Sequence, residues 1–472
     1  MYFRKSEYKA RESKCLNGFI YVLIIFNSLF TSGCRKFIQV ESPPTELMEE
    51  RIFESDATAQ SAIVGLYTKM NNSTGNMFCG GISLFSGLAS DELINTTAST
   101  TYDPYQQNSL LASTSTLQSR FWANAYSIIY QANAILGGIQ KSTGMSDSIK
   151  GQFSAEARLV RALVYFNLVQ YFGDLPFVTG TDYSINSNLP RTGTGFILEQ
   201  IETDLRDAIL HLPAAPINNN ARPNSWAARN LLARLLLYRE NWEEAEREAT
   251  AIIENSPYIL VTGMNNVFLL NSQEILWKML FVSNSVSINS PEGNFFIPSS
   301  SGSRPGFVLS PSLLSGFEPN DQRKTAWTKT VVINNQSYTY PYKYKVRSAN
   351  TITEANIVFR KAEAYLIRAE ARLRQGNTDG AKQDINRIRN RAGLPNTSAN
   401  TVDEVSTAIV QERRIEFFAE WGHRWMDLKR WQLLEAVMTA QKPGLWQEYD
   451  RLWPIPFNEI TLNAFLVQNP GY

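Results

Sequence analysis

The sequence predicts a mainly α-helical fold built from helix pairs and interrupted by one long insertion rich in loops and β-hairpin. Three observations predict it. Apolar residues recur at helical spacing near 121–172, 225–254, 359–392 and 403–431. Two of those stretches repeat one arrangement of small residues and Asn around the turn between helices. Between about 257 and 353 the helical period disappears and Ser, Asn, Gly and Pro take over.

Residues 1–33 read as a signal peptide. Arg4, Lys5, Lys9, Arg11 and Lys14 form a basic leader, and Leu16–Phe30 is an interrupted apolar run. The run is shorter than the about 20 apolar residues a membrane helix needs. It ends in Thr31-Ser-Gly-Cys34, small residues before a Cys, which resembles a bacterial lipobox with Thr31 where Leu is usual. Cleavage there leaves Cys34 as a lipidated N-terminus. Residues 34–53 follow as a tether, held extended by Pro43-Pro44.

The globular part is expected over 54–472. Asp56 is placed to cap a helix running to Met70, with Ile63, Leu66, Tyr67 and Met70 on one face. From Asn71 to Leu117 the periodicity fades into a Ser/Thr/Asn-rich connection, long enough to be functional or disordered. Helices resume over Phe121–Ile139 and Ala155–Gln170, the second stopped by Gly173 and Pro176. Ser225–Ile253 reads as a helix pair, and Tyr238-x-x-Asn241-x-x-x-Ala245 has the spacing of a tetratricopeptide (TPR) turn. Phe359–Ala392 repeats the scheme through Gly376-Asn377 and Ala381. Within the insertion, Thr330–Tyr340 reads as a hairpin turning at Asn334-Asn335.

Glu412–Trp431 carries Ile415, Phe418, Trp421, Trp425, Leu428 and Trp431 at helical spacing, with charges crowded between them. A helix with so much aromatic surface is expected to be buried, its charges paired with one another, and Gly422 to break it in two. His423 is expected to be structural.

Composition excludes several classes. Charges nearly balance at net +1 and are well mixed, which gives a nucleic-acid binder no basic surface. His211 and His423 with Cys15, Cys34 and Cys79 cannot build a metal-ligand spacing, so no metal site is expected. No Gly-Lys dipeptide and no Gly-x-Ser-x-Gly elbow occurs. Adjacent Asp91-Glu92 do not make the opposed pair of a glycosidase, so no catalytic residue is assigned. The 10 Trp, 20 Tyr and 25 Phe mean a packed helical core, or rings on which ligands stack.

Several motifs resemble one family. Arg414-Ile-Glu416 followed by Glu420-x-Gly-x-Arg-Trp-x-Asp-Leu-x-Arg-Trp431 looks like the C-terminal signature of the SusD/RagB family. Ser42–Leu47, Ala155–Pro176, Phe317-x-x-x-Asp-x-Arg323, Leu452-Trp-Pro-Ile-Pro456 and Gln468-Asn-Pro-Gly-Tyr472 are similar to further parts of it. These are surface lipoproteins of Bacteroidetes-type bacteria. The resemblance implies a SusD-like α-helical fold with degenerate TPR pairs. It implies a lipid-anchored protein on the outer membrane, facing the exterior, that binds an oligosaccharide for a SusC-like TonB-dependent transporter. A RagB-like peptide cargo is the alternative, and a TPR-type protein-interaction scaffold is the third reading. No cofactor is implied, and a structural Ca²⁺ leaves no signature in the residues.

Two polar loops carry the candidate ligand residues. The first offers Asp91, Tyr102 and Tyr105; the second, with the hairpin, offers Asn294, Phe295, Phe296, Arg304, Trp327, Tyr338 and Tyr340. Sugar rings lay apolar faces on aromatic rings, and their hydroxyls need Asp, Asn or Arg at the rim. A neutral glycan bound this way would be insensitive to salt.

Overall fold

The computed structural model describes residues 49–281, 288–300 and 302–472. The segments expected to be a signal peptide and most of the expected tether, with Cys34, lie outside them. Ile52–Tyr472 forms one unit with a continuous core.

The first long helix, α1 (Asp56–Met70), buries Ala59, Ile63, Leu66 and Met70. Its cap is Ser55, whose hydroxyl accepts from Thr58 N at 3.3 Å. Asp56 instead bonds Ser146, 2.9 Å from its backbone N–H. A hydroxyl one residue earlier already satisfies the free amide.

The stretch after α1 departs most from expectation. Met77–Ser86 winds as a wide helical segment, kinked at Cys79-Gly80, and all ten residues are buried. Its short apolar run was hidden between Ser/Thr/Asn-rich flanks. Glycines bring it close to its neighbours: a Cβ on Gly87 would lie 2.6 Å from Leu93 Cδ1. The chain then forms β1 (Leu93–Asn95) and reaches α2 (Asn124–Lys141). Next is α3 (Asp147–Phe172), which lies deep in the core and stops at Gly173, where φ is 73°.

Helix pairs follow: α4 (Thr194–His211), α5 (Ser225–Tyr238) and α6 (Trp242–Asn255), later α8 (Lys361–Arg374) and α9 (Thr378–Arg391). The α5–α6 and α8–α9 turns are built alike. Glu240 and Gly376 take left-handed φ of 59° and 81°. The next residue, Asn241 or Asn377, donates its N–H back to Leu236 O (2.9 Å) or Arg372 O (2.8 Å). Each Asn side chain then caps the second helix. The TPR spacing thus corresponds to one repeated turn geometry.

The insertion holds β2 (Ile275–Met279), a short helix α7 (Pro291–Phe296), β3 (Phe307–Leu309), and the hairpin β4 (Thr328–Ile333) with β5 (Gln336–Pro341). Ile333 pairs with Gln336, and Asn334 and Asn335 both have positive φ, so the turn stands where the sequence put it. β6 (Asn356–Arg360) pairs antiparallel with β2 across a bulge.

The signature forms α10 (Val402–Phe417) and α11 (His423–Arg430). The break is wider than one glycine: Ala419, Trp421 and Gly422 all have positive φ. A Cβ on Gly422 would collide with the Tyr171 hydroxyl and lie 2.8 Å from Ser86 Oγ. The expected burial holds, but the charges pair largely beyond the signature. Buried Glu416 meets Arg323 at 3.1 Å, together with Arg360 and Arg391. Burial alone would raise the Glu416 carboxyl; the three guanidiniums outweigh it and hold it far below the usual carboxylate range. Arg323 also holds Asp321 (2.8 Å) and Glu412 (2.6 Å), which explains the Asp-x-Arg motif. Within the signature, Asp427 pairs with Arg413 at 2.7 Å and Arg430 at 3.0 Å. His423 stacks on Phe417 with centroids 4.5 Å apart, and burial, then nearby arginines, keep it neutral.

Candidate functional site

The two polar loops, some two hundred residues apart in sequence, meet in space. β1 and β3 pair antiparallel, with Leu93 opposite Leu309 and Asn95 opposite Phe307. Beyond the strands, Thr96 N donates to Gly306 O at 2.9 Å, and its hydroxyl donates to Pro305 O at 2.5 Å. β3 in turn touches β5 of the hairpin.

Phe307 organises the rings at this confluence. Tyr102 meets it edge-on at 4.9 Å and Phe296 at 6.4 Å. On the other side Tyr102 lies 5.8 Å from Phe85, over which the Arg120 guanidinium sits at 5.9 Å. Phe295 reaches the same place from α7. The missing Cβ of Gly75 would sit against Arg120 and 3.5 Å from Phe295 Cζ. Tyr102, Asn294 and Phe295 are half-buried and Arg304 is exposed, so these four candidates keep contact with solvent. Polar groups line its edge. Asn95 donates to Asp103 at 2.8 Å, and Gln106 Oε1 accepts from Asn95 N at 2.6 Å.

The other candidates are placed differently. Asp91 is buried, its carboxylate held by Arg424 at 2.7 Å and Arg414 at 2.7 Å. Burial would raise its carboxyl; Arg424 and Arg414 reverse that and lower it. Tyr105 is buried 4.5 Å from Phe85 and 5.3 Å from Trp453. Trp327 donates its indole N–H to Met264 O at 2.9 Å and packs against Phe268. Phe296 and Tyr340 are likewise buried. These five are core side chains: a ring inside a Ser-rich stretch still leaves water when a hydrophobic surface lies beside it. Tyr338 stays half-buried on the hairpin, its hydroxyl donating to Gln336 at 2.8 Å. Arg120 escaped the sequence reading because it falls at the edge of a helical stretch. Only the fold shows that it meets no carboxylate among the described residues.

Two more carboxylates near this place, Glu92 and Glu292, lie inside the protein. Burial, then Asp91, pushes Glu92 up to about 8, and burial pushes Glu292 up to about 7. Both are sealed from solvent, Glu92 facing Ala419 N and Glu292 facing Ser83 Oγ at 2.9 Å. Among the described residues no group of His, Cys, Asp and Glu is placed to hold a metal ion. A separate cleft of about 320 Å³, lined by Trp122, Tyr126, Tyr130, Pro176 and Leu462 among others, shares no residue with the confluence.

Two family models match the chain. One, described as the SusD family, covers residues 313–472. The other, described as starch-binding and associating with the outer membrane, covers residues 36–237. The chain is a member of the SusD-like family. The SusD-like protein P25 of Formosa agariphila is 26% identical over 97% of this chain and 100% of its own. A crystal structure of a SusD superfamily protein from Bacteroides vulgatus covers 88% of the chain with TM-score 0.79 and 22% identity. A laminarin-binding SusD-like protein covers 88% with TM-score 0.75 and 23% identity. In both solved structures 99% of the neighbour is matched, so the SusD-like chain shares the whole fold.

Proposed function

We propose that this SusD-like chain is a lipid-anchored receptor on the outer cell surface. It captures an oligosaccharide and passes it to a SusC-like TonB-dependent transporter without breaking a bond. The observation that supports the reading best is the meeting of the two loops at one surface, with half-exposed Tyr102 and Phe295 beside the polar groups Asn294, Asn95 and Arg304. Rings for stacking and hydrogen-bonding groups at the rim are what a sugar requires. The family description and the laminarin-binding relative point the same way.

The test is calorimetry on the purified protein with an oligosaccharide panel and with mixed peptides. Glycan binding that weakens in Phe295→Ala and Tyr102→Ala at unchanged melting temperature supports the reading. Binding of peptides alone replaces it with a RagB-like role. Binding of neither, with retention of a transporter, leaves a scaffold. Anchoring is tested separately: Cys34→Ala should leave the membrane fraction in cells lacking the transporter, and continued membrane association there would refute the anchor.

A further inference from the structure

The core arginines and those at the confluence of the two loops differ in their partners. Those buried in the core carry carboxylates: Arg323, Arg360, Arg391, Arg413, Arg424 and Arg430 each meet at least one. The arginines at the confluence of the two loops do not. Arg120 is half-buried between Phe85, Gly75 and Phe295 and forms no ion pair among the described residues. Gly75, with φ 90°, supplies its seat, because any Cβ there would overlap the guanidinium. Arg304 stands exposed beside the Thr96–Pro305 bond, also without an ion pair among the described residues. Arg347 spends Nη1 on Asn294 O and on Ile297 O (2.7 Å), beneath the end of α7, and forms no ion pair among the described residues. Asp103, an acid of the first loop, is occupied by Asn95 Nδ2 at 2.8 Å and Ser99 N at 2.7 Å.

Holding a guanidinium half out of water without a counter-charge costs stability. Half-buried Arg120 and exposed Arg304 leave a positive potential at this surface, and neither pairs with a carboxylate among the described residues. A guanidinium presents a planar fork of N–H donors that fits a carboxylate or sulfate oxygen pair. We propose that the ligand of this surface is an acidic oligosaccharide, whose carboxylate or sulfate groups are taken by Arg120 and Arg304 while Phe295 and Tyr102 stack its ring faces. The proposal rests on the glycan reading above for the sugar and adds its charge. Salt-insensitive binding, expected of a neutral glycan, is then replaced by salt-dependent binding.

The experiment uses four probes, tetragalacturonate and a chondroitin sulfate hexasaccharide against maltohexaose and laminarihexaose, by calorimetry at about 0.05 and about 0.5 M NaCl. At least one acidic probe should bind about tenfold or more tighter than both neutral ones, and should weaken in the higher salt. Arg304→Gln and Arg120→Gln should each weaken it about tenfold, with melting temperature checked for both. Arg304 is exposed, so its variant keeps the test valid should Arg120→Gln fold poorly. Tight binding of a neutral probe that needs Phe295 but ignores Arg304 overturns the acidic ligand and leaves the receptor function standing. Unchanged acidic affinity in Arg304→Gln and Arg120→Gln overturns it too. Binding of no probe overturns both.

Discussion

Asp91 and Arg424 were expected to have separate roles, one at a ligand and one in a core signature. They are partners, and each exists to neutralise the other in a buried site. Arg424→Ala should therefore cost about 3–5 kcal/mol, the penalty for stranding a buried charge, read by denaturant titration. Asp427→Ala should cost a similar amount, because Arg413 and Arg430 would lose it together. Glu92 makes a different prediction. With its carboxyl raised to about 8, the folded state keeps a proton that the unfolded chain releases near pH 4.5. Its contribution is complete below that lower value and is lost as pH climbs through about 8. Glu92→Gln removes this term, so the variant's melting temperature should gain on the parent's between about pH 5 and about pH 8. Parallel curves would mean that Glu92 is ionised in the fold, screened by Arg424 and Lys343.

At the scale of elements, two glycines at helix boundaries separate backbone from packing. Gly376 turns α8 into α9 with φ 81° and open space where a Cβ would go. Gly376→Ala should cost only the left-handed backbone, about 1–2 kcal/mol. Gly422 has φ 69° and is also walled in by Tyr171, Ser86 and Ile82. Gly422→Ala adds overpacking of about 1–3 kcal/mol to the same backbone term. Thermal melts of the two variants should rank in that order, and equal losses would show that the α10–α11 bend relaxes easily. The bend also explains why the signature is so dense. It carries Glu416 and Glu420 into a cage of Arg323 and Lys343 from the insertion, Arg360 from β6 and Arg391 from the end of α9.

For the whole molecule, stability and recognition reside in different places. The core joins α3, the Met77–Ser86 segment, β2, β6 and the C-terminal run, where Trp453 N donates to Tyr171 O at 2.7 Å. The candidate ligand surface lies on the loops over this core. Phe295→Ala should therefore lower glycan affinity by about 1–3 kcal/mol, as a stacking hot spot does, while the melting temperature stays near the parent's. A coupled loss of both would place Phe295 in the core with Phe296.

The helix pairs, their shared turn and the Asn-Asn hairpin are local features. Periodicity, an Asn after a left-handed residue, and two adjacent Asn carry enough information within a few residues to specify them. The buried signature was legible for the same reason, since only a hydrophobic interior accommodates so many rings in one short stretch. The ligand side chains were not. Whether Tyr102 or Tyr105 faces solvent, or Phe295 rather than Phe296, depends on which neighbour from a distant segment covers each ring. That covering is decided by β1 pairing with β3, a contact between residues more than two hundred positions apart. The same holds for charge. Asp91 and Arg120 both stand in polar, loop-flanking sequence, yet the fold gives Asp91 two arginines and gives Arg120 no carboxylate among the described residues. Burial and pairing are properties of the assembled surface, so only the tertiary structure could separate a core ion pair from a charge open to a ligand.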